Sequence, residues 1–354
     1  MSRARDFADL AGSADAGGIT GRNLMINGAM LVAQRGTSST SSGAHTLDRF
    51  FNSFATVAVT QSQDTTVPSG EGFTKSFKQE FTTASSSNAA YYSVYTTLEG
   101  QDLINSGWDY TSPSSFITIS FYIKSSVAGT YTCSFRTAAG TVKAFSFQYT
   151  LAADTWTRVT KSIPGNSGIT INNDNTKGMN IFLNVQLGTD YTDSGRTHDI
   201  WDDYSGTAQT PPTTNNNMTT VNSTIHITGV QLEVGKKATP FEHRSFGDEL
   251  ARCQRYYEQL GPALINSGSG YSYALTSYDG SSSNMWLTID FATTKRAAPT
   301  SLDFLNGYAW VGTPSVFGYG TNGITSHRAG AGIIKNTGAS ATGVNTVEVD
   351  CEIT

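Results

Sequence analysis

The chain has 354 residues, and 28 Asp and Glu against 23 Lys and Arg give it a formal net charge of −5. That length is typical of roughly two domains, and the mild acidity argues against nucleic-acid binding, which requires a dense basic face. Only 14% of the residues are charged, while 18 Phe, 16 Tyr and 5 Trp are available to fill a core. The composition therefore predicts a structured, mainly all-β protein.

Residues 1–21 differ from the rest of the chain. Residues 2–10 predict a short helix with Phe7 and Leu10 on one face, and a Gly- and Ala-rich connector follows. A helix this short is marginal alone in water, so it should dock on another surface; a frayed terminus is the alternative. The segment lacks the apolar region of a secretory signal, and we expect synthesis in a cytoplasm.

Alternating apolar and polar residues begin at Asn23 and predict several half-buried strands. The clearest are 116–123 and 179–187. In the second of these, Met179, Ile181, Leu183, Val185 and Leu187 are predicted to lie on one face, and Asn180, Asn184 and Gln186 on the other. No apolar run approaches the roughly 20 residues that span a bilayer, so we expect no membrane insertion.

Three further strands are predicted at 142–149, 155–161 and 224–232, with Trp156 assigned to the core. The alternation in the last of them changes parity at Gly229, which indicates a β-bulge. Short strands joined by turns favour a jelly-roll-like β-sandwich, which we place at residues 22–243.

A long polar loop at 188–223 precedes the last of these strands, and loops of this length are usually functional or mobile. A capping box at 245–248, with apolar residues at helical spacing, predicts a connecting helix over 244–261. Renewed alternation then predicts a smaller C-terminal β domain at 262–354. A domain of this size is easier to stabilise as one subunit of an oligomer.

The sequence offers no arrangement that points to catalysis. No Ser, Cys or His lies in a hydrolase motif, and the glycine-rich stretch at 318–323 lacks the following helix that a nucleotide site requires. The three cysteines, Cys133, Cys253 and Cys351, are too widely spaced for a zinc site or a disulfide framework. We therefore predict a non-enzymatic protein with no metal and no cofactor.

Sugar binding suits the composition best, because a pyranose ring packs its C–H groups on an aromatic face while neighbouring polar groups bind its hydroxyls. Aromatic residues in polar loops are thus the candidates, although each of them could instead anchor a loop against a sheet. The tentative glycan-binding set is Trp108, Trp201, Asp202 and Tyr204 in the sandwich, with Tyr308 and Trp310 in the C-terminal domain.

Four segments resemble strands of carbohydrate-binding-module-like jelly rolls: NLMING at 23–28, FITISFYIK at 116–124, DTWTRV at 154–159 and IHITGVQLEV at 225–234. A wider set of blocks is similar to a recurring pattern in bacteriophage tail-fibre and minor virion proteins. These blocks are NLMINGAMLVAQRG at 23–36, DRF at 48–50, QLEVG at 231–235, ATPFEHR at 238–244, CQRYY at 253–257 and AAPT at 297–300.

This resemblance, which covers roughly residues 22–300, implies a structural or adhesive virion protein that is often trimeric. The expected function is that of a tail fibre or spike, on the particle exterior, that binds a host-surface glycan. Residues 1–21, through Phe7 and Leu10, are expected to attach the chain to other virion proteins. The alternatives are a purely architectural tail component or capsid-decorating fibre, and a spike that degrades glycans.

Overall fold

A computed structural model describes residues 21–214, 216–266, 275–278, 284–297, 301–305, 315–317, 328–334 and 342–353. The chain divides into two compact units, Met1–Glu249 and Leu250–Thr354. The division falls inside the segment predicted to connect the two β domains. Phe7, Leu10, Tyr308 and Trp310 lie outside the described residues.

The first unit is built from two six-stranded antiparallel sheets. The first sheet has the order β1-β3-β4-β12-β6-β9, and its strands are β1 (Ser38–Ser39), β3 (Ala58–Asp64), β4 (Ser76–Thr83), β12 (Thr224–Val234), β6 (Phe116–Ser125) and β9 (Thr157–Pro164). The second has the order β11-β8-β7-β10-β5-β2, and its strands are β11 (Trp201–Asp203), β8 (Lys143–Leu151), β7 (Gly129–Thr137), β10 (Lys177–Leu187), β5 (Tyr91–Glu99) and β2 (Phe51–Ala55). A short helix, α1 (Gly100–Ile104), follows β5.

One hydrophobic core joins the two sheets and confirms the predicted β-sandwich. Phe81 of the first sheet packs edge-to-face on Tyr92 of the second, with ring centroids 4.6 Å apart. As the alternation predicts, Ile117 and Phe121 of β6 are fully buried in this core. Trp156 was assigned to the core, but it is only partly buried and precedes β9 at the end of a turn.

Two β-bulges decide which side chains face the core. The predicted bulge at Gly229 is confirmed, since the β12–β6 register shifts between Thr228 and Gln231 and the glycine has a φ of +63°. The second, in β10, was not predicted, and it shifts the β10–β5 register between Phe182 and Asn184. Because a one-residue shift reverses the side chains that follow, the predicted single apolar face of β10 is wrong beyond this point.

The segment at 23–28, expected to be the opening strand, is not a regular strand. It is held against β12 by two backbone hydrogen bonds, from the Leu24 amide to the Leu232 carbonyl and from the Val230 amide to the Gly28 carbonyl, both 2.9 Å long. A Cβ on Gly28 would lie 2.1 Å from the Val230 oxygen. Only glycine fits this approach, which explains its place in the block at 23–28.

Three charged residues at the end of the first unit, Glu242, Arg244 and Glu249, bind the segment at 23–28. We call this set of contacts the N-terminal clamp. The Asn27 amide donates to Glu249 Oε1 at 2.6 Å, and the Asn23 amide donates to Glu242 Oε2 at 2.8 Å. The Arg244 guanidinium donates to the carbonyl of Met25 at 2.8 Å and lies 3.6 Å from Glu249 Oε1. The clamp thus joins two of the sequence blocks that are far apart along the chain.

The connecting helix is shorter than predicted. Helix α2 spans Phe246–Gln254, and Ser245 caps it by accepting a hydrogen bond from the Asp248 amide at 3.2 Å. The predicted range 244–261 is too long because Tyr257 already pairs with Asp350 in a β ladder. The apolar residues after Gln254 have helical spacing, but pairing with β19 places them in a strand instead.

The second unit is also built from antiparallel strands. They are β13 (Tyr257–Asn266), β14 (Leu275–Tyr278), β15 (Asn284–Asp290), β16 (Ser301–Leu305), β17 (Ser315–Phe317), β18 (Arg328–Ile334) and β19 (Thr342–Asp350). They form one sheet of order β13-β19-β16 and another of order β14-β15-β18-β17.

The three cysteines are buried, and none of them forms a disulfide. Burial raises the pKa of Cys351 to about 11, so this thiol is protonated at neutral pH. Across the described residues, no helix is long and apolar enough to cross a membrane.

Candidate functional site

The outer face of the second sheet carries an open cleft. Its floor comes from five neighbouring strands, whose other residues point into the core. The floor residues are Tyr91, Ser93 and Tyr95 of β5, Phe182, Val185 and Leu187 of β10, Ser134 and Arg136 of β7, Ala144 of β8 and Ser53 of β2. The bulge in β10 turns Val185 and Leu187 onto this floor. The cleft therefore depends on the bulge that the alternation did not reveal.

A row of stacked side chains crosses the floor at right angles to the strands; we call it the aromatic row. Phe51 stacks on Tyr95 with centroids 5.1 Å apart, and Tyr95 lies 5.1 Å from Phe182. The Arg136 guanidinium carbon then lies 5.1 Å from the Phe182 ring and 4.6 Å from the Tyr204 ring. The row thus spans five elements, and its partly exposed rings, those of Tyr95, Phe182 and Tyr204, offer flat apolar surface to a ligand.

The 188–223 loop forms a wall beside the row. Tyr191, Tyr204, Gln209 and Thr210 come from this loop and line the cleft, and Tyr191 packs edge-to-face against Tyr91 at 5.7 Å. The cleft has a volume of about 210 Å³, below the roughly 300–1,000 Å³ of sites that enclose a small molecule. Its size suits an open groove that holds part of a longer ligand.

The structure brings one of the predicted sugar-binding residues into the cleft. Tyr204 lines it directly. Trp201, three residues earlier, turns toward the sandwich edge, where it packs on Phe145 and donates from Nε1 to the Pro164 carbonyl at 2.8 Å. Asp202 is exposed and forms an ion pair with Arg196 at 3.2 Å. The loop-anchor interpretation thus describes Trp201 better than a sugar platform does.

Trp108 lies in the hydrophobic core with only 3% of its surface exposed. It follows α1 through Gly107, whose φ of +87° turns the chain inward. A ring this deeply buried has no face open to a sugar, so we correct the sugar-binding assignment of Trp108 to a core anchor. Tyr308 and Trp310 lie outside the described residues.

The carboxylates of the polar loop are largely taken up by ion pairs within the chain. Lys143 pairs with Asp203, and Lys161 pairs with Asp199 at 2.6 Å. In the described residues, no group of three Asp, Glu, His or Cys side chains could hold a metal ion.

The first sheet carries a second cluster of polar groups on its own outer face. His226 is only 6% exposed, and its Nδ1 lies 3.4 Å from Ser76 Oγ and 3.9 Å from Asp64 Oδ1. Both contacts fall on the same ring nitrogen, so they do not form a relay for nucleophilic catalysis. Burial lowers the pKa of His226 to about 4, against the attraction of Asp64.

We expect this histidine to make the protein less stable in mild acid. In the unfolded chain His226 becomes protonated below a pH of about 6.5. In the folded chain it becomes protonated only near pH 4. The free energy of unfolding should therefore fall by up to about 1.4 kcal/mol per pH unit as the pH is lowered across this range. The other charged groups that act on the ring are Asp64, Asp154, Lys78 and Lys124.

Urea titrations at several pH values measure this slope in the wild type, in His226→Gln and in His45→Gln. The His45 variant is the control, since that histidine is exposed. The His226 variant should lose much of the dependence between pH 4 and 6.5, whereas the control should keep it. Equal slopes in all three proteins would contradict the prediction.

Most of the cleft was missed from the sequence, although a signal was present. In β10, Phe182 is a large apolar residue on the face predicted to be polar, and in β5, Tyr91 and Tyr95 alternate with buried Tyr92. Partly exposed aromatic residues on the outer face of a strand indicate a binding surface more directly than aromatic residues in loops.

No protein-family model matches the chain, and no curated protein matches it. Among solved structures, it is similar to the enzymatically active domain of tailspike protein 4 of bacteriophage CBA120, with 15% identity and a TM-score of 0.32 over 60% of this chain and 21% of that one. It is also similar to the family 11 carbohydrate-binding module of the Clostridium thermocellum cellulase Lic26A-Cel5E, with 12% identity and a TM-score of 0.31 over 57% and 96% of the two chains.

A cyclase from Fischerella sp. TAU gives 8% identity and a TM-score of 0.33 over 62% of this chain and all of its own. The chain thus spans about a fifth of the tailspike structure and nearly all of the two smaller ones. Scores this low carry no inference about function, and a binding module and an enzyme give similar values. The function has to be argued from the residues of the cleft.

Proposed function

We propose that the β-sandwich binds a glycan along the aromatic row. The observation that carries the proposal is the row itself: Tyr95, Phe182 and Tyr204 present ring surface in an open groove, with Arg136 stacked between the last two. Successive sugar rings pack their C–H groups on such surfaces. The hydroxyls of Ser53, Ser93 and Ser134 on the floor, and Gln209 on the wall, supply partners for sugar hydroxyls.

The experiment is titration calorimetry of the full chain with oligosaccharides first selected on a glycan array. Tyr95→Ala and Phe182→Ala should each weaken binding by about tenfold, the equivalent of about 1.4 kcal/mol, because each removes one ring of the row. Trp156→Ala is the matched control, since it removes a partly exposed aromatic residue beside the other sheet. Failure of the folded wild type to bind any glycan, or equal affinity in all variants, would overturn the proposal.

We propose further that the protein is a non-enzymatic bacteriophage tail fibre or spike that displays this cleft on the particle exterior. Support comes from the sequence blocks at 23–36, 231–235 and 238–244. The N-terminal clamp brings two of these blocks into contact, because the Asn23 amide of the first donates a hydrogen bond to Glu242 of the third. The Asn27 amide of the first block donates to Glu249, which follows the third block. The same resemblance supports a homotrimer attached to other virion proteins through residues 1–21.

Labelled protein added to intact host cells, in competition with phage adsorption, tests this role. Saturable binding that blocks infection, lost in the Tyr95→Ala/Phe182→Ala double variant, would support an adhesin. Absence of cell binding by a verified folded oligomer would favour the architectural alternative. Release of new reducing ends from host polysaccharide would contradict the non-enzymatic assignment, and light scattering of the purified protein measures its oligomeric state.

A further inference from the structure

The cleft holds a cation, Arg136, that forms no ion pair with any residue in the described part of the chain. Arg136 lies on β7 in the floor of the cleft, and none of the described carboxylates forms an ion pair with it. The described residues that line the cleft include no Asp or Glu. The absence of an acidic neighbour is notable because the chain as a whole carries a net charge of −5.

The two neighbouring rings fix how this guanidinium is presented. Phe182 and Tyr204 both lie within cation–π distance of it, at 5.1 and 4.6 Å. Stacking occupies the faces of a guanidinium and leaves its N–H edge for hydrogen bonds, and this edge matches a carboxylate in a two-point contact. No described acceptor takes a hydrogen bond from the Arg136 side chain.

The described carboxylates near the cleft do not pair with the Arg136 guanidinium. Asp202 and Asp203 are paired with Arg196 and Lys143. Glu99 lies further along β5, is fully buried and accepts a hydrogen bond from Gln101 at 2.6 Å. Asp190 precedes Tyr191 in the loop wall and is exposed to solvent.

We infer that the glycan bound in the cleft is acidic, with a sugar carboxylate held by the N–H edge of Arg136 while the sugar ring packs on the aromatic row. This inference rests on the proposed glycan-binding function and adds the class of saccharide. The ligands it selects are uronic and sialic acids and sugars with a pyruvate ketal. Their carboxylates are planar and suit a guanidinium in a way that a hydroxyl does not.

The test compares each acidic oligosaccharide with its own methyl ester, which keeps the sugar and removes the charge. Trigalacturonate and sialyllactose serve as probes, together with a neutral cello-oligosaccharide and a sulfated oligosaccharide. We expect at least a tenfold preference for an acid over its ester, and an affinity that falls as salt is raised. Equal binding of acid and ester, or a preference for the sulfated probe, would overturn the carboxylate assignment.

Variants of Arg136 locate the effect. Arg136→Gln should lower the affinity for the acid far more than the affinity for the ester and so remove the preference for the acid. Arg136→Lys should retain part of the preference, because it keeps the positive charge but loses the planar two-point contact of the guanidinium. Near-UV circular dichroism checks that both variants are folded. If Arg136→Gln weakens binding of acid and ester equally, the arginine is only part of the stacking surface and the inference is wrong.

The outcomes separate this inference from the function on which it rests. Neutral oligosaccharides that bind tightly, and lose affinity in Tyr95→Ala, would overturn the acidic specificity and leave glycan binding in place. If no saccharide of either class binds, both proposals are overturned.

Discussion

Replacing Trp108 by alanine is expected to lower the free energy of unfolding by about 3–5 kcal/mol, one of the largest effects of any single substitution in the sandwich. The ring is buried in the core with Leu103 of helix α1, and its removal leaves a cavity that the sheets cannot close. Trp108→Phe should cost much less, because it keeps most of the apolar volume.

Urea unfolding followed by circular dichroism measures these changes, with Trp156→Ala as the control for loss of a partly exposed indole. Glycan affinity supplies the second readout. Folded Trp108→Phe should bind as tightly as the wild type, since the ring does not line the cleft. A loss of binding without loss of stability would mean that Trp108 contacts the ligand after all.

Glu249→Ala should cost about 3 kcal/mol, because it removes one partner of a buried ionic contact. Glu249 is 3% exposed and accepts the amide hydrogen of Asn27. Its loss leaves that amide unsatisfied and removes a negative charge 3.6 Å from the Arg244 guanidinium. Glu249→Gln should be milder, since the amide oxygen can still accept the hydrogen bond.

The matched control is Glu80→Ala, which removes a carboxylate paired with Lys78 at 2.7 Å on the partly exposed side of β4. Exposed pairs of this kind contribute about 0–1 kcal/mol. The midpoint of urea unfolding should therefore shift clearly for Glu249→Ala and little for Glu80→Ala. Similar shifts for the two variants would show that the N-terminal clamp adds no more than a surface ion pair.

The sequence predicted the sandwich because most strands have one face in the core and therefore alternate cleanly. Phe116–Ser125 is the simplest example, and even the bulge in β12 was visible because a glycine marks it. The bulge in β10 has no glycine, and Asn184 at its centre looks like an ordinary outward-facing residue. A β-bulge that no glycine marks in the sequence can be recognised only when the pairing with the neighbouring strand is known.

The site was harder to predict because the residue type does not show whether an aromatic side chain binds a sugar or anchors a loop. That difference depends on whether the ring is buried in the folded chain. Trp108 and Trp201 occur in polar loops, as sugar-binding rings often do, yet both turn inward once the chain is folded. Tyr95 and Phe182 belong to strands and come together only through pairing of β5 with β10. The end of helix α2 was misplaced for the same reason, since its termination depends on β19, which lies far along the chain.

The floor and the wall of the cleft differ in how freely their sequences can change. Each strand that supplies the floor is also committed to the core through the residues between, so altering the floor endangers the fold. The wall comes from the 188–223 segment, which contributes Tyr191, Tyr204, Gln209 and Thr210; apart from the three-residue strand β11, this segment lies outside the two sheets. Ligand preference can therefore change through insertions and substitutions in one loop, while the strands below it retain their sequence.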